Sequence, residues 1–294
     1  MKTEKNILIA FVLNLAFSVL EFTGGMFTGS VAIISDAVHD LSDAATIGIS
    51  YFMEKKSRKQ PDATYTFGYG RYSVLGGLIT TGVLLIGSFT IIISAIGRIS
   101  DPNKINYNGM LVLAGIGVSV NLIATIVTNK GLSLNQKSVN LHMLEDTLGW
   151  IVVLVGAVIM KFTGFIIIDP VMSIAIAIFV VINAIKNLKA IFDILLEKVP
   201  DHIDVKEIKD HLYKIDGIID VHHIHIWSAD EINHYATMHV VTKADFCYTK
   251  KKIRHQLQKF GIVHATLELD TPDETCTEKY CRMQIEKNHC CHHH

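Results

Sequence analysis

The 294-residue chain is half apolar, counted over Ala, Val, Ile, Leu, Met, Phe, Trp, Tyr and Cys, and its mean hydropathy is +0.35. A soluble domain of this length is ordinarily less apolar, so the composition argues against a wholly soluble protein. The net charge of −1 gives no overall field that would attract nucleic acid. Charged residues are concentrated late in the chain, which predicts a membrane domain over residues 1–195 and a water-soluble domain over residues 196–294.

Six stretches in the first part have the length of about 20 residues that a membrane-spanning helix needs. They cover residues 7–28, 31–53, 74–97, 107–128, 142–160 and 165–187. The second and fifth carry polar residues and are the weakest by hydropathy. Lys and Arg are enriched at the N-terminus, in the second and fourth connections and after the sixth span. This bias predicts that both termini face the cytoplasm, and an even number of spans, which places both termini on one side, agrees with it.

The second span carries a polar face within the sequence "SDAVHDLSDA". At 100° per residue, Asp36, His39, Asp40 and Asp43 fall within roughly 100° of arc, while the other faces are apolar. An unpaired charge at the centre of a bilayer costs at least about 3 kcal/mol, so this face is expected to turn away from lipid.

The fifth span repeats the spacing of the second. His39 and Asp43 form one HxxxD pair, and His142 and Asp146 in "LHMLEDTLG" form another, with Glu145 beside them. If the two faces oppose each other, two imidazoles and two carboxylates suit a tetrahedral Zn²⁺ site. Taken singly, an intramembrane His is explained as well by a hydrogen bond between helices, and an Asp by proton transfer. Asp40 and Glu145 fit either a proton relay or a solvated face.

The last third of the chain predicts a small α+β domain in the order αββαβ. "VKEIKDHLYKI" and "TKKKIRHQLQKF" have helical periodicity, and "IIDVHHIHIWSA", "NHYATMHVVTK" and "VHATLELD" read as strands. Simple alternation places His222 and His223 on opposite faces of the first strand. The second helix is basic but lacks interleaved aromatic residues, so it predicts a solvated surface and no nucleic-acid site.

All five cysteines lie in the cytosolic part, four of them among histidines in the last 19 residues. This clustering favours thiol–metal chemistry in a Cys/His-rich tail over a disulfide framework. The alternative for the strand is a polar surface with histidines that bind no metal.

Several motifs together resemble the cation diffusion facilitator family, in particular the bacterial cobalt–zinc–cadmium resistance type. They are "GSVAIISDAVHDLSDA", "TFGYGR", "LHMLEDTLG", "DPVMSIAIAI", "LLEKVP", "VHHIHIW" and "HATLELD", in the family's order along nearly the whole chain. The resemblance implies a six-span homodimeric transporter with a ferredoxin-like cytosolic domain that exchanges Zn²⁺ for protons across a lipid bilayer.

The resemblance also implies which residues bind metal. The transport site falls on His39, Asp43, His142 and Asp146, and His39 favours Zn²⁺ over other ions. Regulatory zinc ligands fall in the cytosolic domain and its tail, on His222, His239, Glu268, Asp270, Cys276 and Cys281. A further metal site of some relatives, in the link after the second span, is not expected, because only its Asp is present.

The chain is not expected to be an enzyme. It has no HExxH motif, and four ligands leave no open coordination position or general base for hydrolysis. Two rivals stay open, namely the same transporter moving Co²⁺, Cd²⁺ or Fe²⁺, and a membrane metal sensor without flux. The expected location is a bacterial plasma (inner) membrane.

Overall fold

The computed structural model describes residues 2–28, 31–100, 107–129, 133–163 and 167–274, with some helical side chains left out, His39 among them. Cys276 and Cys281 therefore lie outside the described residues. The chain divides into two compact units, Met1–Leu195 and Leu196–His294. The predicted order, a helical membrane-type domain followed by a small α+β domain, is confirmed.

The described residues of the first unit contain six long helices. They are α1 (Lys2–Thr28), α2 (Val31–Ser57), α3 (Arg71–Ser100), α4 (Tyr107–Asn129), α5 (Leu134–Thr163) and α6 (Ile168–Leu195). Four contain segments long and apolar enough to cross a membrane, namely Thr3–Gly24, Arg71–Gly97, Leu134–Gly156 and Ser173–Leu195. In α4 the corresponding apolar segment is shorter and covers Ala114–Asn129. In α2 the acidic residues lower the mean hydropathy of the helix.

The predicted start of the fifth span was wrong, because α5 begins at Leu134, eight residues before residue 142. Its first turns are polar, yet most of their side chains are buried and hydrogen-bonded inside the helix bundle. Gln136 Nε2 donates to the Thr128 carbonyl at 2.9 Å, and Ser138 Oγ lies 2.9 Å from Thr81 Oγ1. A hydropathy average excludes these polar residues from a membrane span. They can nevertheless be buried, because hydrogen bonds between helices replace those that water would make.

Helices α3 and α5 approach closely near the start of α5. A Cβ added at Gly77 would lie 3.1 Å from the backbone nitrogen of Asn135. Small residues allow such backbone contact between membrane helices. Asn187 on α6 joins the same region, donating to Thr81 Oγ1 at 3.0 Å and to Ser138 Oγ at 2.8 Å. A buried polar network therefore links α3, α5 and α6.

The second unit contains α7 (Val205–Tyr213), β1 (Ile218–Ser228), β2 (His234–Thr242), α8 (Phe246–Lys259) and β3 (Ile262–Asp270). The strand order is β1-β2-β3, with β1 antiparallel and β3 parallel to β2. The Asp204 and Asp245 carboxylates cap the two helices. Apolar residues of both helices pack on one face of the sheet, including Leu212 and Leu257.

Strand β1 contains a bulge, marked by a register shift between His222 and His225 and by a φ of +50° at His223. Val221 and Ile224 both contribute to the core, although they are three residues apart. The two intervening histidines therefore share the face opposite the core. The prediction that His222 and His223 point to opposite faces was wrong, because the extra residue breaks the alternation.

Candidate metal sites

The first candidate site lies between α2 and α5. One ligand atom each from Asp43, His142 and Asp146 lie within 4.8 Å of one another. His142 Nε2 is 3.4 Å from Asp43 Oδ1, and the two side chains are almost fully buried. The helical spacing of four residues brings His142 and Asp146 to one face of α5. His39 lies one turn before Asp43 on α2, and its side chain is outside the described part.

The imidazole of His142 has the features of a metal ligand. Its two ring nitrogens are buried and make no hydrogen bond. Buried polar atoms are nearly always satisfied, and a cation bound between this imidazole and the two carboxylates would satisfy them. Imidazole nitrogen and carboxylate oxygen are both Zn²⁺ ligands. The described residues therefore bring together three of the four side chains predicted to bind the transported ion.

The polar face of α2 is turned inward at this point. Asp43 is 5% exposed, whereas Leu41 on another face is 50% exposed. Glu145, next to Asp146 in sequence, is buried toward α3, where Ser88 Oγ donates to its Oε1 at 2.7 Å. Two adjacent acids of α5 thus have different surroundings, since consecutive helical residues point about 100° apart.

A buried polar cluster near the end of α2 holds that helix against α5. Ser50 Oγ donates to Asn135 Oδ1 at 2.6 Å, and Asn135 Nδ2 donates to the Ser50 carbonyl at 2.9 Å. Glu54, only 4% exposed, accepts from Ser73 Oγ at 2.7 Å and from Arg58 Nη2 at 3.3 Å. This cluster was not predicted from the sequence, although the polar residues at the start of α5 indicate it.

The second candidate site lies on the open face of the sheet in the second unit. His222, His239 and Asp270 each bring one ligand atom to within 4.8 Å of the others. His239 Nε2 is also 3.1 Å from Glu268 Oε2. The pairing of His222 with His239 and of His239 with Glu268 across adjacent strands produces this cluster. Three of the predicted cytosolic ligands, His222, His239 and Asp270, are therefore brought together, whereas Glu268 contacts the other ring nitrogen of His239.

The bulge adds His223 to the surroundings of this second site, which the sequence analysis did not foresee. Its ring centroid is 5.0 Å from that of His239 and 5.3 Å from that of His222. Burial lowers the pKa of His222, with the Asp220 charge opposing that shift. A neutral imidazole is the form that binds metal. The ring nitrogens of His222 make no hydrogen bond, as at His142.

The link after α2 has a different arrangement. Asp62 Oδ2 accepts from Tyr69 OH at 2.6 Å and from Lys59 Nζ at 2.7 Å. Its Oδ1 accepts from the backbone nitrogens of Thr64 and Tyr65. Hydrogen bonds from Lys59 and Tyr69 hold the pKa of Asp62 below its usual range. This carboxylate is thus engaged by its own loop.

Comparison with known proteins gives matches along nearly the whole chain. The family model described as the cation efflux transmembrane domain matches residues 7–196, and that of the cation efflux protein cytoplasmic domain matches residues 200–269. The chain is 31% identical over 301 residues to the cadmium, cobalt and zinc/H(+)-K(+) antiporter of Bacillus subtilis, covering 99% of this chain and 97% of that protein.

Two further relatives have comparable similarity. The zinc transporter ZitB of Yersinia pseudotuberculosis is 31% identical over 282 residues, covering 92% of this chain and 90% of that protein. The metal cation efflux system protein CzcD of Cupriavidus metallidurans is 31% identical over 273 residues, covering 91% and 86%. These matches confirm the resemblance inferred from the motifs and the prediction of an integral membrane transporter that is not an enzyme.

Proposed function

This chain belongs to the cation efflux family of membrane metal transporters, and from that premise we propose that it exports Zn²⁺ in exchange for protons. The transported ion binds to His39, Asp43, His142 and Asp146. The observation that carries this proposal is the buried convergence of Asp43, His142 and Asp146, with both nitrogens of His142 lacking hydrogen bonds.

Competition between metal and protons at these ligands couples the two fluxes. A metal ion requires His142 to present a lone pair and the carboxylates to be ionised, so each proton that binds a ligand displaces metal. The formal ligand charge of −2 balances a divalent ion, which makes the occupied site tolerable away from water. A change in the helix packing then exposes the site to the opposite side of the membrane, where protons displace the ion.

The donor set favours Zn²⁺. Two imidazole nitrogens and two carboxylate oxygens suit a tetrahedral ion of borderline softness, whereas carboxylate-only sites suit Mg²⁺ or Mn²⁺. ZitB is named a zinc transporter, while the Bacillus subtilis relative is named for cadmium, cobalt and zinc. Transport of Co²⁺ or Cd²⁺ by the same residues is therefore the second candidate function.

The cytosolic site has a regulatory role in this proposal. His222, His239, Glu268 and Asp270 bind zinc when its cytoplasmic concentration is high, and Cys276 and Cys281 are further candidate ligands. The chain works as a homodimer with both termini in the cytoplasm of a bacterial cell, inserted in the plasma membrane. Zinc that binds better to one arrangement of the two cytosolic domains shifts the population toward that arrangement and so adjusts transport.

The test of the transport site is metal flux into proteoliposomes after a pH jump, measured in turn with Zn²⁺, Cd²⁺, Co²⁺ and Fe²⁺. The wild-type protein is expected to transport Zn²⁺ and to move protons in the opposite direction. His39→Ala should abolish the flux, whereas His225→Ala, which removes an exposed imidazole, should not. Undiminished flux through His39→Ala would exclude the proposed site, and zinc binding without any wild-type flux would favour the sensor.

A second measurement separates the regulatory site from the transport site. His239→Ala should leave flux at saturating zinc intact and raise the zinc concentration needed to reach half of it. If His239→Ala removes flux at every zinc concentration, the cytosolic cluster has a different role from the one proposed.

A further inference from the structure

An open cavity of about 450 Å³ lies among α4, α5 and α6, and none of its lining residues belongs to the first candidate metal site. Its polar lining is formed by two lysines and four asparagines, namely Lys137, Lys186, Asn129, Asn140, Asn183 and Asn187. Basic residues and amides together at the ends of membrane helices are typical of a binding site for an anionic headgroup.

The two lysines are available to a ligand. Both are exposed, and within the described ranges no carboxylate lies within salt-bridge distance of Lys137 or Lys186. They lie on different helices that border one cavity, so an anion between them can contact both. An ammonium group binds phosphate as a point charge and does not need a fixed geometry.

The asparagines limit which anion fits. Asn140 Nδ2 donates to the Thr125 carbonyl at 2.8 Å and to Thr128 Oγ1 at 2.9 Å. Asn187 Nδ2 likewise donates to two hydroxyls inside the bundle. Because both amide hydrogens of each side chain are used, the carbonyl oxygens remain as acceptors for a ligand. The cavity thus suits a molecule that carries both a phosphate and hydroxyl donors.

The surroundings point to a lipid as the source of that phosphate. Ile126, one turn before Asn129 on α4, is 60% exposed, and Ile182, one turn before Lys186 on α6, is 49% exposed. In a membrane domain, such exposed apolar side chains face acyl chains. A headgroup in the cavity would therefore continue into tails lying along α4 and α6, which free phosphate does not have.

We propose that this cavity binds the headgroup of phosphatidylglycerol. The phosphate lies between Lys137 and Lys186, and the glycerol hydroxyls donate to the side-chain oxygens of Asn140 and Asn187. The proposal is independent of the metal sites and of the transported ion. Because the cavity borders α5, which carries His142 and Asp146, a bound lipid would stabilise that helix in its membrane position.

The test is native mass spectrometry of the full-length protein in detergent, titrated with phosphatidylglycerol and, separately, with phosphatidylcholine. Phosphatidylglycerol should bind with clear preference. At about 1 kcal/mol for each lysine, Lys137→Gln with Lys186→Gln should weaken its binding roughly 30-fold. Lys55→Gln with Lys189→Gln removes the same charge from exposed positions outside the cavity and should change binding less than threefold. Lys137→Arg with Lys186→Arg should retain binding.

Three results would overturn this proposal. The first is equal binding of the two lipids by the wild-type protein. The second is an equal loss in the two Lys→Gln pairs, which would indicate a general charge effect. The third is displacement of phosphatidylglycerol by millimolar inorganic phosphate, which would assign the cavity to a free anion.

Discussion

Two adjacent carboxylates of α5 provide the sharpest test of the transport site. Asp146 lies within 4.8 Å of ligand atoms of Asp43 and His142, whereas Glu145 accepts a hydrogen bond from Ser88 of α3. Changing each acid to its amide removes the same charge with almost no change in shape. We expect Asp146→Asn to lose high-affinity zinc binding and Glu145→Gln to retain most of it.

The expected difference in zinc affinity between the two variants follows from the number of metal ligands that each variant retains. Zinc bound by four protein ligands contributes about 10–16 kcal/mol, or roughly 2.5–4 kcal/mol for each ligand. At 1.4 kcal/mol for each factor of ten, loss of one ligand weakens binding about 100- to 1,000-fold. The amide oxygen of Asn remains a weak donor, so Asp146→Asn should lie near the lower end. Gln can still accept from Ser88, so Glu145→Gln should weaken binding less than tenfold.

The assay is competition with a zinc-chelating fluorophore, using full-length protein in a His239→Ala background that weakens the cytosolic site. Circular dichroism and the unfolding midpoint of each variant establish that both amide variants remain folded. A loss of equal size in Asp146→Asn and Glu145→Gln would refute the assignment of Asp146 as a ligand. Full retention of binding by Asp146→Asn would refute it as well.

Three further predictions concern stability. Glu54→Gln should lower the free energy of unfolding by about 2 kcal/mol, because it removes a buried acceptor of charge-assisted hydrogen bonds, and thermal unfolding in detergent measures the loss. Gly217→Ala should cost about 2–4 kcal/mol in the same assay, since φ is +91° and the new Cβ would lie 2.5 Å from that of Ala244. Burial lowers the pKa of His234 in the folded protein, and nearby His202 lowers it further. Below pH about 6.5, His234 therefore binds a proton more readily in the unfolded chain than in the folded protein. Stability should therefore fall as pH drops below that value, and His234→Asn should reduce the dependence.

Each of these has a result that would contradict it. An unchanged midpoint for Glu54→Gln would mean that the cluster at the end of α2 does not hold the helices. Gly261 also has a positive φ, +76°, but a Cβ added there would lie 3.4 Å from its nearest neighbour. If Gly261→Ala loses as much stability as Gly217→Ala, the clash with Ala244 is not the cause of the loss. A pH dependence that is identical with and without His234 would assign the titration to another group.

The sequence predicted those parts of the sites that depend on local periodicity. His142 and Asp146 share a face because they are four residues apart on a helix, and Asp43 was expected to turn inward because lipid does not solvate a carboxylate. The order of helices and strands along the second unit, αββαβ, followed in the same way from periodicity, alternation and turn residues. Gly261 follows the C-cap of α8 with a φ of +76°, and glycine is the residue that most readily ends a helix in this conformation.

Other features depend on how distant segments pair. The bulge that brings His223 beside His239 arises from the register between β1 and β2, and residue alternation within one strand carries no information about it. The buried start of α5 is polar by composition, and only its partners on α2 and α3 explain why Asn135 lies inside.

The sequence alone determined which side chains share a helical face. It also determined the order of helices and strands, since both properties arise from interactions between neighbours in the chain. Tertiary packing decided which of two adjacent acids, Glu145 or Asp146, meets the second span, and it created the lysine- and asparagine-lined cavity among three helices. The physical reason is that a helix presents every face equally until another helix packs against one of them, and that choice is made by contacts far apart in sequence.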